Sequence, residues 1–103
     1  MKIANEEVFG PVLSVVNWSD EYTLLDQVYR VGYGLTAAIF TKNLARAHHA
    51  AGRLQSGFLW VNNAEPYFLD AGYGGYKQSG TGREESIERL LSFTQSKNIN
   101  ITL

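Results

Sequence analysis

The sequence has no cysteine among its 103 residues. A disulfide framework, a thiolate metal site and a catalytic thiol on this polypeptide are therefore excluded. It also lacks an excess of either charge. Nine Lys and Arg stand against ten Asp and Glu, for a formal net charge of -1, with no long block of one sign. Nucleic acid or an anionic membrane would require a concentrated basic face, so neither is expected as a partner. No apolar run is long enough to span a bilayer. The opening Met1-Lys2-Ile3-Ala4-Asn5-Glu6-Glu7 has one lysine, two acids and no apolar stretch, and does not read as a signal peptide. The default expectation is a soluble cytoplasmic protein.

What is present describes a small folded unit. The chain is 45% hydrophobic and 13% aromatic, which is the composition of a globular domain. A compact chain of this mass is expected to keep roughly 5,800 Å² of accessible surface and to bury about 65% of its extended area.

The hydrophobic period changes along the chain, with punctuation at each change. Val12-Leu13-Ser14-Val15-Val16 follows Gly10-Pro11 and predicts a strand. Ser19 offers an N-cap to a helix carrying Leu24, Leu25, Val28 and Val31, with Gly32 and Gly34 as its stop. Leu35–Thr41 predicts a second strand. Asn43 can cap a helix whose stripe is Leu44, Ala47, Ala51 and Leu54, with Gly57 as the residue past its end. Phe58-Leu59-Trp60-Val61 predicts a third strand, apolar on both faces as in a covered parallel sheet. Periodicity then disappears from Asn62 to Gly82, where Tyr73 and Tyr76 interleave with glycines. Ile87, Leu90 and Leu91 mark a short helix, and Asn98–Leu103 alternates polar and apolar as a half-buried strand does. The expected architecture is α/β: a three-layer-like fragment with a mostly parallel sheet. Its order is strand, helix, strand, helix, strand, long loop, helix, strand.

Several motifs bear on chemistry. Gly75 and Gly80 have the spacing of a phosphate loop, but Thr81-Gly82 stands where Lys and Ser/Thr are needed, so ordinary loop architecture is preferred. His48 and His49 are neighbours on a helix, about 100° apart, and cannot chelate one metal from one face. Glu84-Glu85 reads as solvated surface near a helix start. In Glu6–Pro11, Glu7 and Phe9 fall on one side of an extended segment. A carboxylate can accept from both hydroxyls of a ribose, and an aromatic ring can pack on a flat heterocycle. By spacing alone, an ordinary lead-in to a strand is the preferred explanation.

Glu6-Glu7-Val8-Phe9-Gly10-Pro11 resembles the E-E-x-F-G-P motif of the NAD(P)-dependent aldehyde dehydrogenase family. Tyr33–Ala37, Gly57–Asn62 and Gly74–Glu84 resemble further blocks of that family in the family's order. The resemblance covers essentially the whole chain and corresponds to the C-terminal segment of a family member, with Met1 an internal methionine. It implies that residues 1–97 are the C-terminal part of a catalytic domain and that 98–103 is an oligomerisation strand. It implies that Glu7 hydrogen-bonds the nicotinamide ribose and that Phe9 packs by the nicotinamide. Tyr73 and Tyr67 take the places of residues lining the aldehyde tunnel, although family members often have Pro-Phe where Gly72-Tyr73 stands here.

The family's reaction oxidises an aldehyde to a carboxylate with NAD or NADP, through a cysteine thiolate and a glutamate base. With no cysteine, this chain carries no catalytic residue of that set, and is expected to be inactive alone and to bind no cofactor by itself. No metal is expected. The expected partners are a second copy through the C-terminal strand, giving a homo-oligomer, or a full-length aldehyde dehydrogenase subunit. Two other readings are a non-catalytic module docking to such a relative, and a small α/β ligand-binding domain.

Overall fold

Asp20, not Ser19, opens the first helix. A computed structural model describes residues 1–103, and in it helix α1 runs over Glu21–Tyr29. The Asp20 backbone is extended, and its carboxylate accepts from the Thr23 amide at 2.8 Å and from the Thr23 hydroxyl at 2.7 Å. These bonds satisfy donors that a helix start leaves without partners. Leu25 is the buried residue of this helix.

The centre of the fold is a strand–helix–strand unit. Strand β2 (Thr36–Ile39) pairs in parallel with β3 (Phe58–Val61), with Thr36 opposite Phe58 and Ile39 opposite Val61. Helix α2 (Leu44–Arg53) connects them, and parallel pairing requires such a crossover. Asn43 caps α2 as the sequence predicts, its side-chain oxygen accepting from the Arg46 amide at 3.1 Å. The helix ends at Arg53, with Leu54 returning to extended backbone. Gly57 is therefore not a helix terminator, and its absence of a side chain serves a different contact described below. Past β3, Asn62 prolongs the pairing with its side chain. Its Oδ1 accepts from the Thr41 amide at 2.9 Å and its Nδ2 donates to the Thr41 carbonyl at 3.0 Å.

The two helices lock to one another through α1 side chains. Glu21 pairs with His49 Nδ1 at 3.0 Å and with Arg46 at 3.6 Å, and Arg53 lies over the Tyr22 ring at 4.8 Å. The Tyr29 hydroxyl donates to the Arg53 carbonyl. His49 thus has a hydrogen-bond partner on the neighbouring helix.

The sheet is not mostly parallel. A second, antiparallel pair joins β1 (Tyr33–Gly34) to β4 (Tyr76–Lys77), with Tyr33 opposite Lys77 and Gly34 opposite Tyr76. The long segment after Asn62 returns to the chain just before β2, and a returning segment can pair antiparallel without a crossover. Strands of two residues carry no period, so no alternation reveals them. Lys77 sits at φ +53° and its ammonium donates to the carbonyls of Tyr29 and Val31 at 3.4 and 3.1 Å, closing the end of α1. Helix α3 (Ile87–Ser92) follows, as predicted from Ile87, Leu90 and Leu91.

Two predicted strands do not form ladders. Val12–Val16 makes a single backbone hydrogen bond, from the Val12 amide to the Gly10 carbonyl at 2.8 Å, and its side chains are exposed. Residues 98–103 are also unpaired and exposed. Alternation supplies a face, but a strand needs a neighbour to accept its backbone bonds. The accessible surface is 8724 Å², well above the compact expectation of roughly 5,800 Å². The extents are 70 × 32 × 24 Å. The buried hydrophobic residues are Leu25, Ala47, Phe58 and Trp60, and the remaining buried positions are Gly34, Gly74 and Gly75. No helix is long and apolar enough to cross a membrane.

Candidate functional site

Strand geometry places Phe58 and Trp60 on one face of β3, two residues apart. Both are buried, and their rings meet edge to face at 4.9 Å. The segment after Asn62 folds across this face. The Trp60 indole Nε1 donates to the Pro66 carbonyl at 2.9 Å, which brings Tyr67 to 6.4 Å from Trp60 and 6.3 Å from Phe58. Tyr73 closes the group, 5.5 Å from Phe58 and 5.2 Å from Tyr67, the latter in a T-shaped arrangement. Edge-to-face contacts of this kind suit the ring quadrupoles.

Tyr67 and Tyr73, chosen from the sequence, are therefore brought into contact. Phe58 and Trp60 complete the wall and are not among the site residues that the sequence points to. The signal for them was the aromatic pair at alternate positions of the best-defined strand, read there only as core.

The main chain of Tyr73 is held on both sides. It exchanges two hydrogen bonds with Glu84, at 2.9 and 2.6 Å, and the Glu84 carboxylate pairs with Arg89 of α3 at 2.6 Å. Burial pushes the Tyr73 hydroxyl above the ordinary tyrosine range, with the Tyr67 hydroxyl and the Glu84 carboxylate acting in the same direction. The glycines around Tyr73 belong to this architecture. A Cβ on Gly74 would sit 2.8 Å from Arg83 Nη1, and the Ser79 hydroxyl accepts from the Gly34 amide at 3.0 Å.

Glu7 and Phe9 lie apart from this wall on the N-terminal arm, and Phe9 does not line the cavity that Glu7 lines. Glu7 lines a cavity of about 1070 Å³ together with Glu6, Ser14, Tyr33 and Thr36. Glu6 pairs with Lys2 at 3.7 Å, whereas the Glu7 carboxylate has no hydrogen-bond or ion-pair partner in the chain. Phe9 is 93% exposed, just before Gly10 at φ +147°. A carboxylate with open acceptor positions and a ring with open faces fit a vicinal diol and a flat heterocycle. No hydrogen bond or ring contact joins this pair to Tyr67 or Tyr73. No group of three or more His, Asp or Glu could hold a metal ion.

The family model described as "Aldehyde dehydrogenase family" matches residues 1–99. Aldehyde dehydrogenase tropH of Talaromyces stipitatus is 50% identical over 103 residues, covering 100% of this chain and 20% of that protein. A betaine aldehyde dehydrogenase of Brucella melitensis is 40% identical, covering 100% of this chain and 21% of its own length. Among solved structures, an apo mutant of betaine aldehyde dehydrogenase from Staphylococcus aureus superposes with a TM-score of 0.89 at 41% identity, over 100% of this chain and 21% of that one. The same enzyme in complex with NAD+ gives 0.83 at 42% identity, over 90% and 18%. The chain thus spans about a fifth of the length of the curated relatives it matches.

Proposed function

Because this chain belongs to the aldehyde dehydrogenase family, we propose that it serves as the C-terminal part of the catalytic domain of an NAD(P)-linked aldehyde-oxidising enzyme. The observation that carries this reading is the family match over residues 1–99 of a chain about a fifth as long as its relatives. In the proposal, residues 1–97 supply catalytic-domain surface and 98–103 an oligomerisation strand. Glu7 accepts hydrogen bonds from the nicotinamide-ribose hydroxyls, and Phe9 packs beside the ring. Glu7 and Phe9 would hold the nicotinamide end, and the chemistry a bound cofactor would supply is acceptance of a hydride. Tyr67 and Tyr73, backed by Phe58 and Trp60, present an aromatic wall to the aldehyde and keep water from its apolar part.

A thiol route to the carboxylate needs a nucleophile, and these 103 residues contain no cysteine. The polypeptide by itself is accordingly proposed to be inactive and to hold no dinucleotide with useful affinity. A second copy of the chain is the proposed partner of residues 98–103, supported by the exposed Ile99, Ile101 and Leu103.

The test is a graft. The 103-residue segment replaces the matching stretch of the Staphylococcus aureus betaine aldehyde dehydrogenase, and NADH formation is followed with NAD and the aldehyde varied in turn. The chain alone is expected to produce none and the graft to turn over. Glu7→Gln should raise KM for NAD, and Tyr73→Ala should raise KM for the aldehyde. NADH formation by the chain alone, or a graft indifferent to both substitutions, overturns the proposal.

A further inference from the structure

Arg83 holds three carbonyls with one nitrogen. Its Nη1 donates to Gly82 at 2.9 Å, Gly75 at 3.0 Å and Thr81 at 3.5 Å. The side chain is half-buried and forms no ion pair with a carboxylate, so main-chain oxygens take the place of a counter-ion. Hydrogen bonds to a charged donor are stronger than neutral ones, and the Gly75 carbonyl lies across a turn from Arg83. The guanidinium also lies 5.8 Å over the Tyr76 ring.

The position of these carbonyls sets the aromatic wall. Gly74 has room for no side chain, because a Cβ there would overlap the Gly82 carbonyl oxygen, which Arg83 Nη1 holds, and would meet Arg83 Nη1 itself at 2.8 Å and Arg83 Cδ at 2.9 Å. On its other side, Gly74 is pressed against Gly57. Tyr73 precedes Gly74 in sequence and Phe58 follows Gly57. The main-chain approach of the two glycines therefore fixes the 5.5 Å separation of the Phe58 and Tyr73 rings. Glu84, the residue after Arg83, holds the Tyr73 backbone through two hydrogen bonds. Main chain at Glu84 and side chain at Arg83 grip the segment on both sides of Gly74.

We infer that Arg83 is a positioning residue: by bonding the Gly75 and Gly82 carbonyls it fixes the Gly74–Gly75 turn and so sets Tyr73 against Phe58 and Tyr67. Its consequence for aldehyde binding rests on the proposed role of Tyr73. Two variants separate the donor from shape: methionine fills much of the same volume without a donor, whereas lysine keeps a charged donor.

The experiment uses the 103-residue chain labelled with 3-fluorotyrosine, with the Tyr73 resonance assigned by Tyr73→Phe. In the unsubstituted chain, ring currents from Phe58 and Tyr67 are expected to move the Tyr73 signal away from the unfolded position. Arg83→Met should return it toward that position while Tyr22 and Tyr29 keep their shifts, and Arg83→Lys should restore it. A folded Arg83→Met chain with an unmoved Tyr73 signal overturns the inference. Should Arg83→Met unfold the chain, Arg83→Lys decides: a native Tyr73 signal supports the donor role, and a displaced signal or a second unfolded chain overturns it. In the graft, Arg83→Met should raise KM for the aldehyde about tenfold or more and leave KM for NAD unchanged. A displaced Tyr73 signal with an unchanged aldehyde KM would leave Arg83 as the positioner and remove Tyr73 from the aldehyde site.

Discussion

Gly57 and Gly74 meet main chain to main chain: a methyl group added at Gly57 would overlap the Gly74 carbonyl oxygen. Neither residue sits at a left-handed φ, so proximity rather than backbone freedom dictates glycine here. Gly57→Ala should lower the unfolding free energy by about 3 kcal/mol, the upper part of the range for overpacking a buried contact. Gly52 is the control, since it lies in α2 and a Cβ there meets nothing within 4 Å. Gly52→Ala should raise stability by about 0.5–1 kcal/mol. Urea unfolding measures both, and equal effects of the two substitutions would refute the close-approach argument.

The two helix caps separate by pH. Asn43→Ala removes the bond to the Arg46 amide and should cost about 1 kcal/mol at any pH near neutrality. The Asp20 carboxyl is held below its ordinary value by the Thr23 amide and hydroxyl, with burial opposing weakly. A depressed folded pKa means that the contribution is fully present above the unfolded pKa of about 3.9 and is lost as pH falls through the folded value. Asp20→Asn keeps a capping oxygen without the titration. Thermal unfolding followed from pH 6 downward should therefore fall less steeply for Asp20→Asn than for the unsubstituted chain below about pH 4. Parallel curves would contradict it.

Tyr73 titrates in the opposite sense. Its hydroxyl is raised, chiefly by burial, so the neutral form is favoured in the folded chain. The associated stability is fully present below the unfolded tyrosine pKa of about 10 and is lost as pH rises through the folded value. An alkaline absorbance titration should show a late tyrosinate step that Tyr73→Phe removes. An alkaline end of the titration that Tyr73→Phe leaves unchanged would count against the packed geometry.

The sequence was most legible where one element carried its own signal. Asn43 names its own helix, and Phe58–Val61 is a strand by composition and length. The proposed tunnel tyrosines come from the family resemblance and are neighbours in the fold, yet Phe58 and Trp60 are hidden in a strand that composition assigns to core. The β1–β4 pair was not legible because Tyr33–Gly34 and Tyr76–Lys77 are too short to show a period and are joined only by tertiary contact. Val12–Val16 illustrates the converse. β-branched residues favour extended backbone, but propensity cannot provide the neighbouring strand that turns extension into a ladder. The Ser19 expectation failed by one residue because Asp20 places its carboxylate on the Thr23 amide.

The unpaired tail gives a concentration-dependent expectation. Ile99, Ile101 and Leu103 are exposed on alternate positions of residues 98–103. A free alternating segment is a template for pairing with its own copy. Light scattering at high micromolar concentration should report a dimer or larger species, and Ile101→Lys should shift it toward monomer. A monomer at that concentration would remove the tail from the proposed assembly.

The aromatic quartet also makes the molecule its own optical gauge. Trp60 is 8% exposed among Phe58, Tyr67 and Tyr73, whereas Trp18 on the N-terminal arm is 49% exposed. A water-borne quencher such as iodide should reach the second indole and spare the first. Emission that survives the quencher therefore comes from the wall itself and reports its closure directly, without a label and without turnover.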